Sequence, residues 1–269
     1  MDSMELSLDH DMLKAKFYII MEPHPDAIYS ASFAELSTVD GMEKFLQFYA
    51  PLLKAPDTEP AGTFFCSWLG RIALAGQYYL SFYNKSIALE PDNLIMDMVE
   101  SNGYCQFAFR LQQWGEEQGP DTPEERALFR QTHLEQLYQQ TLRPIVEAIS
   151  AVTGAHARVF WRQFPSQFNY FVQTWQQEAS SPEIVEHIKD DHRYVTSEMS
   201  AEPFGLTVNP LNMRTRYTTS IQGDQQIPLK SACCLYHRMD DGDYCFSCPK
   251  LSETDRDERR HAYQQKEGI

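Results

Sequence analysis

Apolar residues recur every three or four positions along most of this chain, the period of an α-helix with one face turned inward. Phe45, Phe48, Tyr49 and Leu52 share such a face behind Asp40-Gly-Met-Glu43, which reads as a capping arrangement. A second start is written at Thr122-Pro-Glu-Glu125, with threonine at the cap, proline in the first turn and glutamate reaching back. Leu134, Leu137, Tyr138, Leu142, Ile145 and Ile149 continue its buried stripe, and Pro144 is expected to kink or end it. Phe168, Phe171, Val172 and Trp175 mark a further helix. Ser181-Pro-Glu opens another, with Ile184 and Ile188 inward.

The period changes to two over residues 104–111, with Phe107, Phe109 and Leu111 on one side and Gln106, Ala108 and Arg110 on the other. Residues 94–99 are expected to pair with that strand across an Asn102-Gly103 turn. Residues 63–83 form a longer apolar run, about enough to cross a bilayer. Arg71 and Gln77 stand well inside it, and an arginine near a helix centre costs about 2.5–3.5 kcal/mol on insertion into a membrane. A buried core helix explains the same residues at no such cost. Residues 201–226 are polar and aperiodic and read as a connector. Beyond Leu251 the chain is charged and short of large aliphatics, which predicts a frayed or weakly helical tail. The expected class is α+β, predominantly helical, with a small antiparallel sheet.

The 269 residues allow one large domain or two small ones, and a 42% hydrophobic share argues against disorder. A formal charge of −15 makes nucleic acid and anionic membrane surfaces poor partners, because the mean field repels polyanions. With neither a Gly-x-Gly-x-x-Gly run nor a phosphate loop, the chain is not expected to carry its own nicotinamide or flavin site. His187 and His192, near Asp190 and Asp191, could ligate a metal, but solvent-facing polar residues are the expected reading.

Four of the six cysteines lie within one short stretch, as Cys233-Cys234 and Cys245-Phe-Ser-Cys248. The chain shows no secretory signal, so reduced thiols and a metal centre are expected over disulfides. Zinc and iron–sulfur both remain open on spacing alone. Zinc sites commonly use two Cys-x-x-Cys knuckles, whereas here the first pair is directly adjacent. Neighbouring side chains of an extended backbone point to opposite faces, and a dinuclear cluster tolerates that divergence better than one ion. Cys66 and Cys105 are expected to be inert core residues, and His237 either tunes the centre or is simply exposed.

The segment from Ala232 through Cys233, Cys234 and His237 to Cys245, Cys248 and Pro249 resembles the C-terminal signature of the FhuF-like ferric-siderophore reductases. Val159-Phe160-Trp161 followed by Phe168-Asn169-Tyr170-Phe171 is similar to the family's tryptophan-containing helix start. Where the family often has a basic pair shortly before the cysteines, this chain has only Lys230.

The resemblance implies a [2Fe–2S] cluster on Cys233, Cys234, Cys245 and Cys248, in a protein that passes one electron to ferric iron in a siderophore. It implies residues 1–227 as a siderophore-docking domain, 228–250 as the iron–sulfur segment and 251–269 as a charged tail. The electron donor is then external, a ferredoxin or a flavoprotein reductase, and the location cytoplasmic without membrane insertion. On the residues alone Trp161, Arg162, Gln167 and Asn169 read as core aromatics with a polar rim; the resemblance makes Trp161, Arg162 and Asn169, with Lys230 and Arg238, the expected substrate contacts. Asp240, Asp241 and Asp243 add to the acidic field and favour neutral or cationic hydroxamate chelates. Two other readings compete: a zinc-stapled, non-enzymatic binding module, and an iron–sulfur electron carrier with another acceptor.

Overall fold

The computed structural model describes residues 3–101, 103–240 and 242–267. Asn102 of the expected turn and Asp241 of the cysteine loop lie outside the described residues. The N-terminal half runs α1 (Ser3–Phe17), β1 (Ile19–Ile20), β2 (Ala27–Ser32), α2 (Phe33–Leu36), α3 (Val39–Leu52), α4 (Thr58–Tyr83), β3 (Lys85–Ile87), β4 (Leu94–Ser101), β5 (Tyr104–Leu111) and β6 (Glu116–Gln118). The rest is α5 (Pro123–Gln136), α6 (Arg143–Thr153), α7 (Ala157–Trp161), α8 (Pro165–Glu178), α9 (Pro182–Arg193), β7 (Tyr217–Thr219), β8 (Gln226–Pro228) and α10 (Glu253–Glu267). The fold is α+β and mainly helical.

The apolar run becomes α4, which the other helices surround. Asp57 caps it by accepting the Glu59 amide at 3.0 Å, and Asn84 ends it in a left-handed conformation. Small residues let its neighbours close in: a Cβ on Gly62 would stand 2.7 Å from Ile149, and one on Gly76 2.8 Å from Leu137. Arg71 is accommodated at the edge, where it donates to the Lys16 carbonyl and lies 4.8 Å over the Phe171 ring. Among the described residues no helix is long and apolar enough to cross a membrane.

The main sheet has the order β1-β5-β4-β2. Pairing of β4 with β5 is antiparallel up to Ser101↔Tyr104, and Gly103 takes a positive φ of 78° in the turn. Phe107, Phe109 and Leu111 are fully buried, and Phe107 packs edge-on to Phe65 of α4 and Tyr49 of α3. On the opposite face Asp97 is buried and accepts from Ser30 Oγ at 2.6 Å and Arg110 Nε at 3.3 Å.

Several local expectations shift by a residue or a turn. The α3 cap is Thr38, whose Oγ1 accepts the Gly41 amide at 3.0 Å, so the helix begins ahead of Asp40. Glu125 does reach back at the α5 start, but to receive the Thr122 hydroxyl (2.6 Å) rather than a backbone amide. Pro144 neither ends nor breaks its helix. The chain takes a π-type turn over Leu137–Leu142 instead, which absorbs the ring and the missing donor and carries α5 straight into α6.

Nor are Asp191 and His192 solvent-facing. Asp191 is 0% exposed and receives Arg126 Nη1 and Nη2 at 3.0 and 2.8 Å and Ser81 Oγ at 2.8 Å, tying α9 to α4 and α5. Burial pushes the His192 imidazole down to about 4.

The connector and tail are more ordered than their composition suggests. A β7–β8 hairpin stands within residues 201–228, and α10 packs against it through Thr218 Oγ1 to Glu253 (3.1 Å) and Arg260 to the Thr219 carbonyl (3.0 Å). The cysteine segment lies between this hairpin and α10 in the chain.

Candidate metal centre

Between β8 and α10 the chain forms its own small apolar cluster from Cys233, Leu235, Cys248 and Leu251. Two backbone features shape it. Leu235 sits at φ 62°, a left-handed conformation that costs a branched residue about 1–2 kcal/mol. It turns the chain sharply after the adjacent cysteines and into a short 3₁₀ turn at Tyr236–Arg238. At the far side Gly242 is required by close approach, since a Cβ there would lie 2.0 Å from the Tyr236 carbonyl oxygen.

The result is two thiol pairs. Cys233 Sγ lies 3.6 Å from Cys248 Sγ, and Cys234 Sγ lies 3.7 Å from Cys245 Sγ. Adjacent cysteines therefore join different pairs, as alternation along an extended backbone demands. Two thiolates on one tetrahedral metal, at about 2.3 Å each, stand about 3.8 Å apart, so each pair suits one metal atom. No group of three or more His, Cys, Asp and Glu side chains among the described residues could hold a single ion. Two metal atoms with two thiolates each fit this donor set.

Residues 231–250 match the family model of the FhuF 2Fe-2S C-terminal domain. All four paired cysteines lie inside that FhuF-type segment, and its cofactor is a [2Fe–2S] cluster. No curated protein matches the chain.

The surroundings of the thiols explain how the segment holds charge. Lys230 Nζ is 3.3 Å from Cys245 Sγ and 3.8 Å from Cys234 Sγ. Burial opposes the ammonium, but the two thiolates outweigh it and hold its pKa above the usual value. Burial pushes the Cys233 thiol up to about 11, against the Leu235 amide, which favours the thiolate. Cys234 is raised by burial as well, with Lys230 pulling the other way. Ligation requires the thiolate form, so metal binding and proton release are coupled at these cysteines. The Lys250 amide points at Cys248 Sγ (3.5 Å), and His237 Nδ1 lies 3.7 Å from Cys233 Sγ with its ring stacked on Tyr244.

Three side chains missed by sequence reasoning hold this segment, Gln163 from the helical body and Arg256 and Arg259 from α10. Arg256, 2% exposed, donates from Nε to the Phe246 carbonyl (3.0 Å) and from Nη2 to the Cys248 carbonyl (2.5 Å). Gln163 donates to the Cys233 carbonyl at 3.2 Å, and Arg259 to the Tyr244 carbonyl at 2.6 Å. Two arginines in a charged tail read as solvated, and nothing in the sequence sets them apart.

The expected substrate contacts separate widely. Trp161 is 0% exposed, and its indole N–H donates to the Phe204 carbonyl at 3.2 Å. Asn169 donates to Thr215 Oγ1 at 2.9 Å, and Gln167 to the Ser67 carbonyl at 2.6 Å. Arg238 is held by Asp57 and Glu59 at the start of α4, where it fastens the cysteine loop. Arg162 lines an open groove, together with Arg158, Val159 and His156. Cys66 is buried in α4 and Cys105 stands on β5; burial raises both thiols.

Proposed function

We propose that this protein reduces ferric iron held by a siderophore, one electron at a time, and so releases it as Fe(II). The observation that carries the reading is the two-pair arrangement of the cysteines inside the FhuF-type segment. A [2Fe–2S] cluster, when bound, supplies a one-electron donor. Hard oxygen donors of a siderophore favour the smaller, more highly charged ion, so lowering the charge on the substrate iron weakens its bonds and frees it. Such a reaction needs neither nucleophile nor general acid.

The chain's own residues have four tasks in this reading. Cys233, Cys234, Cys245 and Cys248 ligate the cluster. Lys230 sets a positive charge against the Cys234 and Cys245 thiolates, which favours the extra negative charge of a reduced centre. Leu235 and Leu251 keep water from the Cys233 and Cys248 side. Arg238 and Gln163 fix the loop against the helical body, and Arg256 fastens it to α10. Residues 1–227 then serve as the docking domain and 228–250 as the electron-transfer segment. The donor is external, a ferredoxin or flavoprotein reductase, and the protein works in the cytoplasm. The acidic chain favours chelates with a neutral iron core, hence the hydroxamate class.

Anaerobic protein is analysed for iron and acid-labile sulfide, and ferric trihydroxamate reduction is followed with a ferrous trap. Two irons and two sulfides per chain, with electron paramagnetic resonance after reduction and trapped Fe(II), are expected. Stoichiometric zinc without sulfide would sink the reading in favour of a stapled module. A cluster without Fe(II) release would leave an electron carrier with another acceptor.

A further inference from the structure

The groove beside α7 is lined by two neighbouring arginines. It has a volume of about 570 Å³ and is lined by His156, Arg158, Val159, Arg162, Leu206 and Val208, among others. That size lies within the range of small-molecule sites. Arg158 and Arg162 stand one helical turn apart, and neither forms an ion pair among the described residues. Carboxylates are abundant in a chain of net charge −15, yet none among the described residues pairs with these two like charges, which repel each other. Arg162 bears that repulsion: desolvation and the Arg158 charge both lower its pKa, and its Nε is buried without a partner. The nearby Glu147 carboxylate is taken by Arg143 at 2.7 Å.

His156 adds a third donor. Its Nδ1 accepts the Arg158 amide at 3.1 Å, which leaves Nε2 as the proton-bearing nitrogen. Val159, Leu206 and Val208 supply an apolar wall, and Val208 is exposed. The groove also abuts the cysteine segment. The Gln163 amide donates to the Val159 carbonyl at 3.3 Å and to the Cys233 carbonyl at 3.2 Å, so one side chain separates the groove wall from a cysteine backbone.

We infer that this groove binds the free carboxylate arm of a ferric hydroxamate chelate, with Arg158 and Arg162 as its receptors. The inference rests on the reductase reading and narrows its substrate class. Three hydroxamates neutralise ferric iron, so the core meets no penalty from the acidic chain, while a pendant carboxylate supplies the anion that the two guanidiniums lack. The methylene spacer between them lies along the apolar wall.

The test uses the iron–sulfur-loaded protein and a linear trihydroxamate with a terminal amine, beside its N-succinyl derivative with a terminal carboxylate. Gallium(III) complexes of both resist one-electron reduction and report occupancy alone, by calorimetric titration. Wild-type protein is expected to bind the succinylated complex at least about tenfold more tightly, less so as salt rises. In R158Q/R162Q the ratio should fall to about one. R158Q alone, at an exposed side chain, gives a partial fall and carries the test should the double variant fold poorly. Equal affinities in wild type, or a ratio that survives the substitutions, overturns the inference. If the ferric forms are then still reduced, the reductase reading stands without it. If neither gallium complex binds and neither ferric form is reduced, both fall together.

Discussion

Replacing Arg256 with methionine keeps length and apolar contact but removes the buried guanidinium beneath the Cys-x-x-Cys turn. Two carbonyl oxygens, of Phe246 and Cys248, then lose donors at 3.0 and 2.5 Å. Hydrogen bonds from a charged donor contribute about 1.5–3 kcal/mol each, so the loss is about 3–6 kcal/mol. The accompanying pair with Glu253, whose side chain is 60% exposed, adds little to that figure. At about 1.4 kcal/mol per factor of ten, local opening of the segment should become at least about a hundredfold more frequent. The cysteine cluster packs as a unit apart from the main core, so the opening is expected to be local. The assay is the bleaching rate of the loaded, oxidised protein under a ferrous and ferric chelator. An increase of about a hundredfold is expected, with the urea midpoint of the helical body unchanged. Arg256→Lys, which can reach one carbonyl but not span both, should fall between. A methionine variant that bleaches within about threefold of wild type would refute the idea that this guanidinium holds the segment shut.

Serine at Cys233, Cys234, Cys245 or Cys248 should abolish or destabilise the cluster, because a harder donor replaces a thiolate, while serine at Cys66 or Cys105 should leave its absorption spectrum intact. Asp191→Ala should cost about 3–5 kcal/mol in urea unfolding, since Arg126 would stay buried without its partner. Stability should also fall as pH drops from about 6.5 towards 4. Over that window the unfolded chain takes up a proton that the buried His192 refuses, so the unfolded state binds more protons and acid favours it. His192→Gln should flatten that slope, and an unchanged slope in the urea midpoint against pH would show that another group governs it.

The sequence by itself determined what depends on short-range pattern. The stripe from Leu134 to Ile149, the alternation through Phe107, Phe109 and Leu111, and the Ser181 cap each rest on residues a few positions apart. The divergence of Cys233 and Cys234 was legible for the same reason, since neighbouring side chains in extended backbone must part, and the structure places them in separate pairs. Tertiary structure decided everything that turned on which distant group arrived as a partner. Asp191 looks like a solvated acid until Arg126 and Ser81 meet it, and a charged tail looks frayed until Arg256 finds two carbonyls inside the cysteine loop. Trp161 and Arg162 are neighbours in the chain, yet one is sealed in the core and the other lines the groove. Whether a polar group is satisfied, stranded or available to a ligand depends on what packs against it, and local spacing carries no record of that.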